Sequence, residues 1–380
     1  MINRERMTDL FIQLARIDSH SKEEQGVADV LAGAARAIGA EVRTDDAGAS
    51  VGGNAGNVIV RLPGNAAGAA PLLLSSHMDT VPLGRSVKPL RDDGRIKSDG
   101  TTMLGADDKS GLAVIVEVLR ALVEHELRHG DVEVTFTICE EIGLLGAKHL
   151  DFSALASRRA IVLDSGTPST LYTQGPSADR FEFVVHGLEA HAGMAPEQGI
   201  SAVRAAAEAI SAMPLGRIDA VTTSNVVIAD CSSATNVVPN RCVVKGEARS
   251  LDDSKLDARM AQIRRCFQDA AAGKSVTLDG RVTRAWIEER CEREYHSISV
   301  SDDDPLVRMV IEAGRLVGHE IRTAAIGGGS DANVLNRKGI TAVNLGTGMR
   351  DIHTVNEWLS LDDFYACAEI VLQCVRLAAA

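Results

Sequence analysis

The chain has 380 residues, more than one hydrophobic core usually organises, so we expect two domains. Its 45% hydrophobic and 24% charged residues are ordinary for a soluble globular protein. The formal net charge of -12 disfavours a nucleic-acid partner, because binding to phosphates requires a basic surface.

The first part of the chain alternates predicted helices with predicted strands. The helices are expected at residues 7–17, after the Ser21 and Glu24 capping box, and at 110–124. The strands are expected at residues 57–62, 72–74, 132–138 and 161–163. This alternation predicts an α/β fold with a mostly parallel sheet that is flanked by helices.

The middle of the chain has a different pattern. Strands are predicted at residues 181–185, 222–229, 242–248 and 282–288, and helices at 200–213 and 252–272. This βαββαβ order is typical of a split βαβ sandwich, an α+β ferredoxin-like domain. From Asp304 the pattern returns to helix, strand (341–345) and helix (361–377). We therefore place one domain at 1–177 and 296–380, and an inserted domain at 178–295.

The seven cysteines are scattered, without a CxxC motif or the spacing of a disulfide framework, which favours a reducing compartment. Residues 1–10 are charged throughout and lack the apolar stretch of a secretory signal. No uncharged apolar run reaches the roughly 18 residues that a membrane span needs. These features predict a cytoplasmic protein without a membrane partner.

Charged side chains occur where predicted strands end or a helix begins. The residues that share this placement are His77, Asp107, Glu140, Glu141 and Asp164, and His353 lies in a further charged segment. Ligands of open α/β sheets bind at the carboxyl ends of the strands, so we expect these side chains to converge.

Imidazole and carboxylate groups suit zinc or a similar divalent ion. Two histidines and three or four carboxylates exceed the needs of one tetrahedral ion, and they suit two ions about 3.5–4 Å apart with a bridging carboxylate. Taken singly, each segment has an ordinary explanation, such as a solvated turn or an acidic helix cap. Their joint occurrence at successive strand ends favours a metal site.

These segments resemble the dinuclear-zinc metallopeptidase family of peptidase T (the tripeptidase), glutamate carboxypeptidase, acetylornithine deacetylase and succinyl-diaminopimelate desuccinylase. The resemblance spans nearly the whole chain, and Leu-Gly-Ala-Asp-Asp-Lys at 104–109 with Glu-Glu-Ile-Gly-Leu-Leu-Gly-Ala at 140–147 is closest to the peptidase-T-like branch. Further similar segments lie at 76–82, 187–196 and 328–333. The resemblance implies a zinc-binding catalytic domain, with the inserted domain as a lid through which the protein forms a homodimer.

The resemblance also implies the ligands of two zinc ions per subunit. His77, Asp107 and Asp164 would hold one ion, while Asp107, Glu141 and His353 would hold the other, so Asp107 would bridge them. Spacing alone does not select Asp107 over the adjacent aspartate. The sequence leaves open whether zinc, cobalt or manganese is used in the cell.

Catalytic roles follow from the same resemblance. Glu140 would be the general base that accepts a proton from water shared by the zinc ions. Asp79 would accept the other ring N–H of His77 and so fix its tautomer. His191, in the inserted domain, would donate to the oxyanion that develops during hydrolysis, often across a dimer interface.

Substrate-binding roles are implied for a further set of residues. Asn236 and Arg249 resemble the family pair that binds a substrate carboxylate, for which the arginine fork is suited. Gly328, Gly329 and Ser330 lie in a glycine-rich segment that would let the backbone approach the substrate closely. The alternative for Arg249 is an ordinary surface ion pair.

The sequence thus predicts hydrolysis of an amide bond in a short peptide, as in a dipeptidase, tripeptidase or aminopeptidase. An amidohydrolase (deacylase) of N-acyl or N-carbamoyl amino acids remains an alternative, because the same activated water attacks any amide. A non-catalytic metal-binding scaffold is a third hypothesis, disfavoured by the intact Glu140. A two-metal phosphohydrolase is disfavoured by the acidity of the chain and by the lack of a P-loop pattern.

Overall fold

The computed structural model describes all 380 residues apart from the side chain of Ile228. The chain forms two compact units. Unit 1 comprises Met1–Gly175 and Ile298–Ala380, and unit 2 comprises Pro176–Ser297. Among the described residues, no helix combines the length and the apolar character that crossing a bilayer requires.

Helices and strands alternate through the first segment of unit 1. The helices are α1 (Arg4–Ala15), α2 (Gln25–Ala37), α3 (Ala47–Val51), α4 (Ala106–Glu124) and α5 (Leu145–Lys148). The strands are β1 (Glu41–Thr44), β2 (Val58–Leu62), β3 (Leu72–His77), β4 (Leu90–Asp92), β5 (Arg95–Lys97), β6 (Val132–Thr137), β7 (Arg159–Val162) and β8 (Thr170–Gly175).

Unit 2 and the second segment of unit 1 follow in the chain. Unit 2 contains β9 (Ser177–His186), α6 (Ala202–Ala212), β10 (Gly216–Arg217), β11 (Thr222–Asp230), β12 (Arg241–Ser250), α7 (Asp253–Ala272), β13 (Ser275–Leu278), β14 (Arg281–Arg284) and β15 (Trp286–Tyr295). Unit 1 is completed by β16 (Ile298–Ser299), α8 (Pro305–Leu316), β17 (Arg322–Ala325), α9 (Asp331–Arg337), β18 (Thr341–Leu345), β19 (Met349–Arg350), β20 (Trp358–Ser360) and α10 (Leu361–Leu377).

Unit 1 is built on a nine-stranded sheet in the order β1-β2-β6-β3-β7-β18-β8-β16, with β17 also paired to β8. The four central strands, β6, β3, β7 and β18, run parallel, while β1–β2, β2–β6 and β18–β8 are antiparallel pairs. The predicted α/β fold with a mostly parallel central sheet is confirmed. Because β18 comes from the C-terminal segment, both segments of unit 1 are needed to complete this sheet.

The central strands are buried on both faces, as expected where helices cover a parallel sheet. All six residues of β3 are buried, and its Leu72, Leu73 and Leu74 are at most 1% exposed. Helix α4 packs against β3, α1 and α10. The core thereby fixes the carboxyl ends of the parallel strands in place.

Unit 2 contains an antiparallel sheet in the order β10-β11-β12-β9-β15, against which α6 and α7 pack. The order of its main elements is the predicted βαββαβ arrangement. The rings of Phe183 and Phe267 stack with centroids 4.3 Å apart between sheet and helix α7. The prediction of a single strand at 282–288 is wrong, because β14 and β15 divide this range. Asp279 and Gly280 both have positive φ, and they turn β14 back onto β13 to form a separate hairpin.

A disulfide joins Cys231 to Cys242 in unit 2, and this corrects the expectation that the cysteines form no such bond. The antiparallel register pairs Asp230 with Val243, which brings the two cysteines opposite each other. Strand register, rather than spacing along the sequence, therefore determines the pairing.

Candidate metal centre

Most of the predicted site residues of unit 1 meet at one edge of the nine-stranded sheet. His77 is the last residue of β3, Glu140 and Glu141 follow β6, and Asp164 follows β7. Since these three strands are parallel, their carboxyl ends lie at the same edge. The loop after β19 adds His353.

Asp107 reaches this edge from the start of α4. Its backbone angles are non-helical, as are those of Asp108, and the two residues are joined by a cis peptide bond. The carboxylate of Asp108 instead accepts hydrogen bonds from Ser76 Oγ at 2.5 Å and from the backbone N–H of His77 at 3.2 Å. Only Asp107 is thus placed between the two histidines.

The two oxygens of Asp107 face different histidines. Oδ1 lies 3.1 Å from Nε2 of His77, and Oδ2 lies 3.1 Å from Nε2 of His353. His353 Nε2 is also 3.1 Å from Oε1 of Glu141, while His77 Nε2 is 4.0 Å from Oδ1 of Asp164. This arrangement forms two groups of three donors that share Asp107.

The donor atoms fit a pair of divalent cations. Within each group of three, the candidate ligand atoms lie within 4.8 Å of one another. Tetrahedral zinc with ligands at ~2.0–2.2 Å would place its ligand atoms about 3.3 Å apart, close to the separations around Asp107. A carboxylate that offers one oxygen to each group is the bridging arrangement of two-metal sites.

Asp79 contacts His77 and the backbone of Glu140 and Glu141. Nδ1 of His77 lies 3.0 Å from the backbone oxygen of Asp79 and 3.4 Å from its carboxylate. A carbonyl oxygen only accepts, so Nδ1 carries a proton, and Nε2 is the ring nitrogen that could bind a cation. The Asp79 carboxylate accepts the backbone N–H groups of Glu140 at 2.9 Å and Glu141 at 3.2 Å, and Ser21 Oγ donates to it at 2.6 Å.

A cavity of about 410 Å³ opens beside these groups, a size typical of sites for small ligands. The acidic residues and the histidine that line this cavity are Asp107, Glu140, Glu141, Asp164, Asp351 and His353. Arg350 also lines it, and its guanidinium donates to Asp363 and to the backbone oxygen of Met349. Glu140 therefore faces the same space as the candidate ligands.

The buried acidic groups change one another's proton affinity. Burial, reinforced by the charge of nearby carboxylates such as Asp164, raises the pKa of Glu140 well above its ordinary value. Burial and the charge of Asp107 likewise raise the pKa of Asp164. Hydrogen bonds with Asp107 and Glu141 raise the pKa of His353 to about 10. Bound divalent cations would offset the repulsion among these buried acidic groups.

The glycine-rich segment contributes residues both to the lining of the cavity and to the buried core. Gly328 and Gly329 line the cavity, whereas Ser330 is fully buried at the start of α9, where its backbone N–H donates to Asn333. The substrate-binding role of Ser330 stays a prediction.

Three predicted site residues belong to unit 2. Nδ1 of the exposed His191 accepts the backbone N–H groups of Gly193 and Met194, both at 3.2 Å, so its proton lies on Nε2 and can be donated. The backbone oxygen of Asn236 accepts the N–H of Ala192 at 2.8 Å, which ties its loop to the His191 segment. Arg249 forms a bidentate ion pair with Glu247, in which both hydrogen bonds are 3.0 Å long.

Glu357 is a buried residue near the centre that the sequence did not single out. Its carboxylate accepts backbone N–H groups from the segment that leads into α4, including that of Asp107. These partners lie about 250 residues upstream, so no local motif could have revealed the contact.

Comparison with known proteins identifies the family of the chain. The model of Peptidase family M20/M25/M40 matches residues 73–377. The uncharacterized protein YqjE of Bacillus subtilis (strain 168) is 38% identical over 380 residues and is covered completely, as is this chain. The structure of aminopeptidase PepT from Bacillus cereus has a TM-score of 0.91 at 37% identity, with 100% of both chains covered. A Staphylococcus aureus tripeptidase has a TM-score of 0.93 at 34% identity, covering 100% of this chain and 99% of its own. The predicted resemblance is confirmed, and the chain belongs to peptidase family M20/M25/M40 as a peptide-hydrolysing enzyme.

Proposed function

We propose that the protein is a dinuclear metallopeptidase that cleaves an amide bond in dipeptides or tripeptides. The observation that carries this proposal is the position of Asp107, whose two oxygens each lie 3.1 Å from a different histidine. The names of the aminopeptidase and tripeptidase with similar structures support short peptides as the substrate class.

Zinc is the proposed metal, since imidazole and carboxylate donors suit it, and cobalt or manganese would use the same ligands. His77, Asp107 and Asp164 would hold one ion, and Asp107, Glu141 and His353 the other. When bound, the cations would acidify a water molecule and polarise the scissile carbonyl.

Glu140 is the proposed general base. It faces the cavity, and its neighbour Glu141 is a candidate ligand, so a substrate amide in the cavity would lie within its reach. A carboxylate at this place suits a group that takes a proton from water and later delivers it to the leaving amine. Asp79 holds the backbone of both glutamates, which fixes the direction of the Glu140 side chain relative to His77.

The residues of unit 2 are proposed to act on the substrate. A proton on Nε2 suits His191 for donation to a developing oxyanion. Asn236 and Arg249 would bind the substrate carboxylate, and Gly328, Gly329 and Ser330 of unit 1 would line the substrate path. We also propose that unit 2 acts as a lid and as the contact of a homodimer.

A substrate panel tests the proposed function. Zinc-loaded protein would be assayed on dipeptides and tripeptides, and in parallel on N-acetyl and N-carbamoyl amino acids and a phosphate ester. We expect peptides to be hydrolysed with the highest kcat/KM. Preference for N-acyl or N-carbamoyl amino acids would instead identify a deacylase, and a zinc-replete protein inert on every amide would identify a binding scaffold.

A further inference from the structure

Glu357 connects two loops of the candidate metal centre through one buried carboxylate. Its Oε2 accepts the backbone N–H groups of Leu104 at 2.8 Å and Gly105 at 2.7 Å. Its Oε1 accepts the backbone N–H of Asp107 at 3.0 Å. Glu357 is only 1% exposed, so these three bonds are made away from solvent.

The N–H groups that Glu357 accepts lie where α4 cannot supply partners. The first N–H groups of a helix have no acceptor within the helix, and a buried one without a partner is costly. Gly105 has a φ of 77° and Asp107 has non-helical angles, so this segment departs from helical hydrogen bonding. The Glu357 carboxylate replaces the missing acceptors and adds negative charge where a helix N-terminus favours it.

The backbone of Glu357 belongs to the loop that carries His353. Its N–H donates to the backbone oxygen of Thr354, the residue after His353, at 3.2 Å. In the same loop, Trp358 Nε1 donates to Asp351 Oδ2 at 3.2 Å. The side chain of Glu357 therefore joins a short, internally bonded loop with His353 to the segment with Asp107.

We propose that Glu357 is a positioning residue that sets the distance between Asp107 and His353, and thereby the affinity for the cation these residues share. The proposal rests on the proposed metallopeptidase function. A carboxylate is required because its two oxygens accept three N–H groups. A glutamine has only one acceptor oxygen, and its NH₂ group would face a backbone N–H.

Glu133 provides a matched control. It is 3% exposed, and its two oxygens accept the backbone N–H groups of Ala156 at 2.9 Å and Ser157 at 2.8 Å. It lies at the amino end of β6, the opposite end from Glu140, so its bonds hold a loop that carries none of the candidate ligands. Glu133→Gln thus removes a similar buried interaction without touching the centre.

The test compares Glu357→Gln, Glu357→Asp and Glu133→Gln with the parent protein. Zinc affinity and stoichiometry would be measured by competition with a chromophoric chelator, and the unfolding temperature would be measured on metal-free protein. Residues that orient metal ligands typically change affinity 10–100-fold, so we expect Glu357→Gln to weaken one zinc site by about that factor. Glu133→Gln should lower the unfolding temperature and leave both zinc affinities unchanged.

Glu357→Asp keeps both oxygens on a shorter side chain, so it should retain more zinc affinity than the glutamine variant, and it replaces that variant if Glu357→Gln does not fold. Unchanged zinc affinity in the folded Glu357 variants, or an equal loss of zinc affinity in Glu133→Gln, would overturn the positioning role.

Peptidase activity is measured separately from zinc affinity. A parent protein that binds two zinc ions but cleaves no peptide refutes the proposed function alone, and one that binds no zinc refutes both proposals.

Discussion

The acidic edge of the sheet in unit 1 and the open sheet face of unit 2 arrange their charges in opposite ways. In unit 1, acidic groups such as Asp107, Glu140 and Asp164 are gathered at one sheet edge, with few cationic side chains among the cavity residues. In unit 2, charges on the open face of the antiparallel sheet form ion pairs of opposite sign, such as Lys245 with Glu182 at 2.7 Å. A fold avoids burying like charges unless something offsets their repulsion, whereas exposed pairs need no such explanation. The contrast singles out the acidic edge of unit 1 as the candidate metal centre.

Replacement of the shared carboxylate should have the largest effect. Asp107→Ala removes a donor from both groups of three, so we expect both metal sites to be weakened. Losing several kcal/mol of transition-state stabilisation would lower kcat/KM by about 10⁴-fold or more. Metal content by atomic emission and peptide hydrolysis measure the result, and Glu133→Gln is the control for a buried carboxylate away from the centre. Two tightly bound ions in Asp107→Ala would refute the bridging role.

Replacement of the proposed base should separate catalysis from metal binding. Glu140→Gln keeps the size of the side chain but cannot accept a proton, so kcat should fall by ~10²–10⁴-fold. The zinc content should stay that of the parent protein, because Glu140 is not among the proposed ligands. Single-turnover kinetics with metal analysis of the same sample provide the measurement, and parent-like kcat would rule out Glu140 as the base.

His191→Ala tests whether unit 2 takes part in the chemistry. Loss of one oxyanion donor typically costs ~10²–10³-fold in kcat, and we expect this effect with little change in zinc affinity. The local fold should survive, since His191 is exposed and its Nδ1 bonds only within its own turn. If kcat is unchanged, the contribution of unit 2 to catalysis is wrong.

The ion pairs of unit 2 should give the smallest effect. Lys245→Met removes the nearer of two cationic partners of Glu182, the other being Arg290 at 3.9 Å, on a surface where Lys245 is 47% exposed. Exposed pairs contribute about 0–1 kcal/mol, so the free energy of unfolding should change by no more than that, and kcat/KM should be unchanged. Urea denaturation measures the stability. A much larger loss of stability would contradict the view that the ion pairs on the sheet face of unit 2 are ordinary surface pairs.

Much of the fold was accessible from the sequence because periodicity reports burial directly. The run Leu72–Leu74 predicted a strand buried on both faces, and the βαββαβ order predicted the main elements of unit 2 but not the hairpin of β13 and β14. The convergence of His77, Glu141 and Asp164 could be expected from one rule, that parallel strands end at the same edge.

The remaining features depend on contacts between distant segments. The sequence does not show that Asp108 turns to Ser76 while Asp107 lies between two histidines, because the choice depends on backbone angles at the start of α4. The sequence does not reveal the role of Glu357, because its hydrogen-bond partners lie far upstream. It does not reveal the disulfide between Cys231 and Cys242 either, because that pairing follows from strand register.

Anomalous X-ray diffraction at the zinc absorption edge, on crystals of the zinc-loaded protein, tests the central claim most directly. The bridging position of Asp107 predicts two anomalous peaks about 3.5–4 Å apart, one on each side of its carboxylate, with His77 and His353 bound to different peaks. A single peak, or peaks remote from Asp107, would contradict the dinuclear centre.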